Sequence, residues 1–130
     1  MVRSAHAVNV SYSELDQALK DLLATTSEAS KEGFPLPSDK ALNNAEHLLK
    51  EMYVISSRRY EVYPTPDGEI AIDAPGGYGS SVILLCGSDG GALCLVNMNG
   101  QHRRARYSSI ETLPDGFLRE ALAELEQKAA

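Results

Sequence analysis

The sequence predicts an α+β fold, with an antiparallel β-meander of four to five strands, two N-terminal helices and one C-terminal helix. Apolar residues recur at three- and four-residue intervals in two segments between residues 12 and 52, and again after residue 115, which is the spacing of amphipathic helices. Between these regions, short alternating or apolar runs indicate strands. Tight turn sequences join consecutive strands, which favours a meander over parallel βαβ units.

The first helix is predicted over about residues 12–30. Ser11 and Glu14 have the Ser-x-x-Glu spacing of a capping box, which marks a helix start. The apolar stripe that follows consists of Leu15, Ala18, Leu19, Leu22 and Leu23. Gly33, with two prolines behind it, ends the helix. Residues 1–10 lack periodicity and are predicted to form a loose N-terminal tail.

The second helix is predicted to begin after Ser38, a good N-cap, with Asp39 facing the positive end of the helix dipole. Its buried stripe is Ala41, Leu42, Ala45, Leu48, Leu49 and Met52. The final helix is predicted to start near Leu113-Pro114. Its apolar face is Phe117, Leu118, Ala121, Leu122 and Leu125.

The meander starts with a short strand over Tyr60–Tyr63. Thr65-Pro66-Asp67-Gly68 then fits a type I turn, because proline presets the second position and glycine suits the fourth. Residues 69–73 alternate polar and apolar side chains, which predicts a half-buried strand with Ile70 and Ile72 facing the core.

Three more strands follow. Residues 82–86 are apolar at every position, which predicts a central strand covered on both faces, at least in part. Asp89-Gly90 and Asn99-Gly100 are strong hairpin signals, and they delimit strands over residues 92–96 and 101–107.

The overall composition favours one domain over residues 1–130. The net charge of −6 disfavours broad binding to nucleic acid or anionic membrane, because the field of the protein repels phosphate. Neither an apolar leader nor an apolar run long enough to cross a membrane is present in the sequence. A cytoplasmic bacterial protein with reduced thiols is therefore expected.

The predicted binding residues are His102, Arg103, Arg104 and Arg106 on the last strand. Arginine offers a planar donor fork for phosphate or carboxylate. If Asn99-Gly100 forms a type I′ turn, Arg103 pairs opposite Val96, and the other three share the opposite face. The simpler interpretation is a charged edge strand that prevents edge-to-edge pairing.

No catalytic residue, metal ligand or cofactor site is predicted. The three histidines lack metal-ligand spacing, and residues 76–81 are glycine-rich but lack the Lys-Ser/Thr end of a P-loop. Cys86 and Cys94 lie on opposite faces if their loop has two residues, and face each other if it has three. Buried small hydrophobic residues are the simpler interpretation of these thiols, and a redox pair is the alternative.

The segment Tyr63–Ile72 resembles a group of small uncharacterised bacterial proteins that share a PTPDGEIxI-type turn and strand. Pro37-Ser38-Asp39 and Leu113-Pro114 match the helix starts of the same group, so the likeness spans roughly residues 35–125. The resemblance implies no activity and no catalytic residues.

Three functional hypotheses remain open. The first is a protein-interaction or accessory module, such as an antitoxin- or immunity-like partner, with homodimerisation through the sheet or the first helix as an addition. The second is nucleic-acid or phosphate-ligand binding through the basic strand of His102 to Arg106. The third is a small enzyme with no recognisable motif.

Overall fold

The computed structural model describes residues 2–77, 79–109 and 115–129, and it confirms the α+β class. The helices are α1 (Val2–Glu32), α2 (Asp39–Ile55) and α3 (Asp115–Ala129). The strands are β1 (Glu61–Pro64), β2 (Ile70–Pro75), β3 (Ser81–Cys86), β4 (Ala92–Met98) and β5 (Gln101–Tyr107). All neighbouring strands are antiparallel and follow chain order, as a meander requires.

Helix α1 begins ten residues before the predicted start, so the prediction of a loose tail over residues 1–10 is wrong for residues 2–10. This segment contains neither glycine nor proline, and extending an existing helix adds one hydrogen bond for each residue ordered. The helix ends as predicted at Gly33, whose φ is 75°. The amide of Phe34 donates to the carbonyl of Ala29, which is the Schellman pattern. In the described part of the chain, no helix is both long and apolar enough to cross a membrane.

Ser38 caps α2 as predicted and also ties the helix to the sheet. Its Oγ accepts a hydrogen bond from the amide of Ala41 and donates one to the carbonyl of Ser88, both at 3.1 Å. Asn44 donates to the carbonyl of Gly90 at 2.9 Å, so two residues of the α2 region hold the turn between β3 and β4. The predicted start of α3 at Leu113-Pro114 lies outside the described residues.

The predicted turns at Thr65–Gly68 and Asn99–Gly100 form as expected. Gly68 has a φ of 80° and donates to the carbonyl of Thr65 at 3.1 Å, which closes the turn before β2. Asn99 and Gly100 have φ values of 54° and 79°, and positive φ at both positions is the requirement of a type I′ turn. This turn places Arg103 opposite Val96, as predicted, and Ala105 opposite Cys94.

The core lies on one face of the sheet. Alternate residues of β2, β3 and β4 are buried there against the apolar stripes of α2 and α3, and α1 joins the same core along β1 and α2. The prediction that β3 is covered on both faces, at least in part, agrees with the burial: Val82, Leu84 and Cys86 are fully buried, and Ile83 and Leu85, which point away from the helices, are half-buried. An apolar run does not reveal which face lacks a cover, because cover comes from elements distant in sequence.

Both cysteines lie on the buried face. Cys86 pairs with Ala92 and Cys94 pairs with Leu84, so the two thiols are diagonal neighbours. Neither predicted loop length applies, because five residues separate β3 from β4. Both thiols are free and fully buried, and burial raises the pKa of Cys86 to about 12 and that of Cys94 to about 11.

Gly91 packs too tightly for a side chain, so we expect Gly91→Ala to destabilise the fold by about 1–3 kcal/mol. A Cβ at this position would lie 2.8 Å from the carbonyl oxygen of Tyr107, and a backbone oxygen cannot turn aside as a side chain does. Urea denaturation measures the loss. Gly116→Ala is the control, because a Cβ added there would meet no atom within 4 Å and alanine favours the helix. Equal stability of the two variants would contradict the prediction.

Candidate functional site

The sheet face opposite the helices, called the open face below, is the principal surface feature of the described residues. Its side chains alternate with those of the core and come from all five strands. They are Glu61, Tyr63, Ala71, Asp73, Ser81, Ile83, Leu85, Leu93, Leu95, Asn97, His102, Arg104 and Arg106. Ala71 is the completely buried member of this set.

The register orders these side chains by chemistry across the sheet. One row runs Glu61, Asp73, Ile83, Leu95, Arg104, and the row beside it runs Tyr63, Ala71, Leu85, Leu93, Arg106. Three zones result. The acidic edge is Glu61 and Asp73; the apolar band is Ile83, Leu85, Leu93 and Leu95; the basic edge is His102, Arg104 and Arg106.

The apolar band occupies the centre of the open face. Its four side chains are half-buried, whereas the alternate residues of the same strands are almost completely buried under the helices. Ile83 and Leu95 line a shallow depression of about 510 Å³, which His102 and Arg104 close on the basic side. The centre of the face is thus apolar and its rim is charged.

The acidic edge holds two carboxylates in direct opposition. Glu61 and Asp73 pair across β1 and β2, and like charges at such positions are unfavourable. Tyr63 donates its hydroxyl to Oδ2 of Asp73 at 3.4 Å, but Oδ1 is buried without a hydrogen-bond partner among the described residues. Burial, and then the charge of Glu61, raise the pKa of Asp73 above its ordinary value.

Arg58 is a cation close enough to the acidic edge to act on Asp73. Its charge lowers the pKa of Asp73, but less than burial and Glu61 raise it. Its Nη2 donates to the carbonyl of Pro75, and no salt bridge joins it to Asp73 or Glu61 among the described residues. The acidic edge therefore carries excess negative charge.

The structure divides the four predicted binding residues between the two faces of β5. His102, Arg104 and Arg106 are exposed in a row on the open face. Arg103 lies on the helix face, where its Nη2 donates to Oε1 of Glu124 in α3 at 3.0 Å. Among the described residues, no carboxylate forms a salt bridge with Arg104 or Arg106. The basic edge therefore carries excess positive charge.

Outside the open face, the polar side chains of the described residues do not gather into a comparable site. In residues 2–77, 79–109 and 115–129, no group of three or more His, Cys, Asp and Glu side chains is arranged to hold a metal ion. A second depression of about 710 Å³ lies where two hairpin turns meet the end of the open face. Its lining mixes Asp67, Glu69 and Asp89 with Arg106, so it has no single charge character.

No family model, no curated protein and no solved structure matches this chain. The resemblance of Tyr63–Ile72 to small bacterial proteins therefore stays a prediction.

The sequence predicts the basic edge but neither the acidic edge nor the apolar band. The signal for the band was present, since Leu93 and Leu95 extend the apolar character of β3 into β4 at positions that alternate with core residues. The acidic edge had no such signal, because Glu61 and Asp73 become neighbours only through strand pairing.

Proposed function

We propose that this protein is a protein-interaction module and that the open face is its binding surface. The apolar band, flanked by the two charged edges, carries the proposal. Contiguous apolar patches with a polar rim mark interaction sites on soluble proteins, whereas single exposed apolar residues are ordinary. Leu23 of α1, which is 81% exposed, is a single exposed apolar residue of this ordinary type.

The basic edge also suits a phosphate-bearing ligand, since its three side chains form a row. The acidic edge opposes this second candidate function. β2 and β5 are separated by three strand spacings of about 4.8 Å, so the two edges are about 15 Å apart. A nucleic acid laid across the face would meet carboxylates as well as arginines, and the protein as a whole is acidic. A protein partner with both charge signs fits the face better.

An accessory role, as the antitoxin- or immunity-like partner of another protein, is the finer form of the proposal. It is supported by the small size of the chain, its net charge of −6 and a binding face that spans the whole sheet. Such a role needs a surface and no catalytic group.

Leu95→Asp tests the proposed function. A charge in the centre of the apolar band is expected to weaken association at least about tenfold, because it leaves a desolvated carboxylate in the interface. Tagged wild-type protein is purified from its native host, and any stoichiometric companion, including untagged copies of the chain, is identified and quantified. Leu23→Asp is the matched control, since it places the same charge on an exposed residue of α1.

The companion should remain with Leu23→Asp and be lost with Leu95→Asp, while thermal unfolding shows that both variants are folded. The proposal is abandoned if wild-type protein has no stoichiometric companion and stays monomeric. It is equally abandoned if folded Leu95→Asp retains the companion.

A further inference from the structure

The two edges of the open face carry opposite charges that the chain itself does not neutralise. At one edge, Glu61 and Asp73 oppose each other, and Oδ1 of Asp73 is buried without a partner among the described residues. At the other edge, Arg104 and Arg106 are exposed without a carboxylate among those residues. A single occupant that neutralises both edges must itself carry a basic zone and an acidic zone on either side of an apolar centre.

A second copy of the chain has this pattern in the required order. A two-fold axis parallel to the strands, lying between two facing sheets near β3 and β4, exchanges the two sides of the sheet. It places the basic edge of one copy over the acidic edge of the other, and does so twice, because the interface is isologous. Ile83 and Leu85 of one copy then face Leu95 and Leu93 of its partner.

The other two-fold axis that brings the open faces together runs across the strands. It would place each strand over its own copy, with Arg104 above Arg104 and Glu61 above Glu61. Like charges in opposition disfavour that arrangement. The order of the charges thus selects one orientation out of two.

We propose that the open face binds a second copy of this chain, face to face, about a two-fold axis parallel to the strands. This inference rests on the proposed function, for which it names the partner. The apolar bands form the centre of the interface. Asp73 of each copy faces Arg104 of the other, and Glu61 lies one strand farther out. The dimer has four layers, with helices outside and two sheets packed about 10 Å apart inside.

The size of the open face sets the expected affinity. Strands β2–β5 overlap in this arrangement, and four strands at about 4.8 Å with about six residues of 3.3 Å each make a footprint of roughly 19 by 20 Å. Such a footprint, about 800 Å² over the two copies, lies below the roughly 1,200 Å² of standard interfaces and in the range of weak ones. We therefore expect a dissociation constant in the micromolar range.

Charge reversal on the open face tests the arrangement. Asp73 and Arg104 both lie on the open face, away from the core under the helices. Arg104→Glu and Asp73→Arg alone are each expected to weaken the dimer at least about tenfold, because each places like charges together twice. The combined variant restores both pairings with the signs exchanged, and its affinity should return to within about threefold of the wild type.

Sedimentation analysis from about 1 to about 300 µM measures these constants, and the dimer is recognised by twice the chain mass of 14.0 kDa. Lys20→Glu is the matched control. It makes the same change in net charge on the exposed side of α1 and should leave the dimer unchanged.

Each outcome decides between the two proposals. A wild-type chain that is monomeric but binds another protein through Leu95 overturns the dimer and keeps the proposed function. A monomer with no companion overturns both. The proposed arrangement is wrong if the combined variant fails to restore the affinity of the dimer. It is also wrong if the single charge reversals leave that affinity unchanged.

Discussion

Leu84→Ala is expected to lower the free energy of unfolding by about 2–5 kcal/mol, whereas Leu85→Ala is expected to lower it by less than about 1 kcal/mol. The two leucines are adjacent on β3 and point to opposite faces of the sheet. Leu84 is completely buried in the core, so truncation removes apolar contacts and leaves a cavity. Leu85 is half-buried on the open face, where water fills the space.

Urea denaturation of both variants, at a protein concentration low enough to keep the chain monomeric, measures the difference. The pair forms its own control, because residue type, strand and substitution are the same. A domain of this size is stable by about 5–15 kcal/mol, so the loss at Leu84 is easily detected. Equal losses at the two positions would mean that the open face is covered in the monomer.

Raising the pH above about 9 is expected to destabilise the protein through three buried groups. Burial raises the pKa of Cys86 from 9.0 to about 12, that of Cys94 from 9.0 to about 11, and that of Tyr60 from 10.0 to about 12. Tyr60 also donates its hydroxyl to the carbonyl of Ser56 at 2.7 Å, which a phenolate cannot do.

The direction follows from the protons bound in each state. Above pH 9 the unfolded chain releases its thiol protons while the folded chain keeps them, so the folded state binds more protons and stability falls as pH rises. The contribution is complete below the unfolded pKa values, and it is lost as pH rises through the folded ones. Each group contributes a slope of up to about 1.4 kcal/mol per pH unit, so the loss between pH 9 and 11 is roughly 3–6 kcal/mol.

Urea denaturation at a series of pH values measures this slope. The variant with both Cys86→Ala and Cys94→Ala is less stable at neutral pH because of the lost packing, but its slope between pH 9 and 10 should be much smaller. In the wild type at pH 8, both thiols should resist alkylation until the chain unfolds. A variant slope equal to that of the wild type would show that the thiols do not cause the alkaline loss.

The open face links the stability of this protein to its proposed role. Its apolar band adds little to the stability of the monomer, since it lies outside the core. The same residues are well placed to bind a partner, because they are apolar, contiguous and supported by a rigid sheet. Substitutions at Leu85 or Leu95 are therefore expected to affect association more than folding.

Much of the fold was predictable because its signals are local. Asn99-Gly100 specifies a type I′ turn through the φ values that these residues tolerate, and that turn alone sets the register of Arg103 against Val96. Ser38 and Gly33 likewise mark helix ends through contacts within a few residues. The start of α1 was missed, because residues 2–10 lack apolar periodicity although they contain nothing that breaks a helix.

The site was predictable only where it lies on one strand. The sequence by itself determined the α+β class, the meander and the separation of Arg103 from Arg104, because strand alternation and turn chemistry act over short distances. Only the tertiary structure decided that α2 and α3 cover the same face while α1 packs along β1 and α2. It alone decided that Glu61 opposes Asp73, and that one row leads from these carboxylates through Ile83 and Leu95 to Arg104. Cover and cross-strand neighbours depend on packing between segments distant along the chain, which no local pattern records.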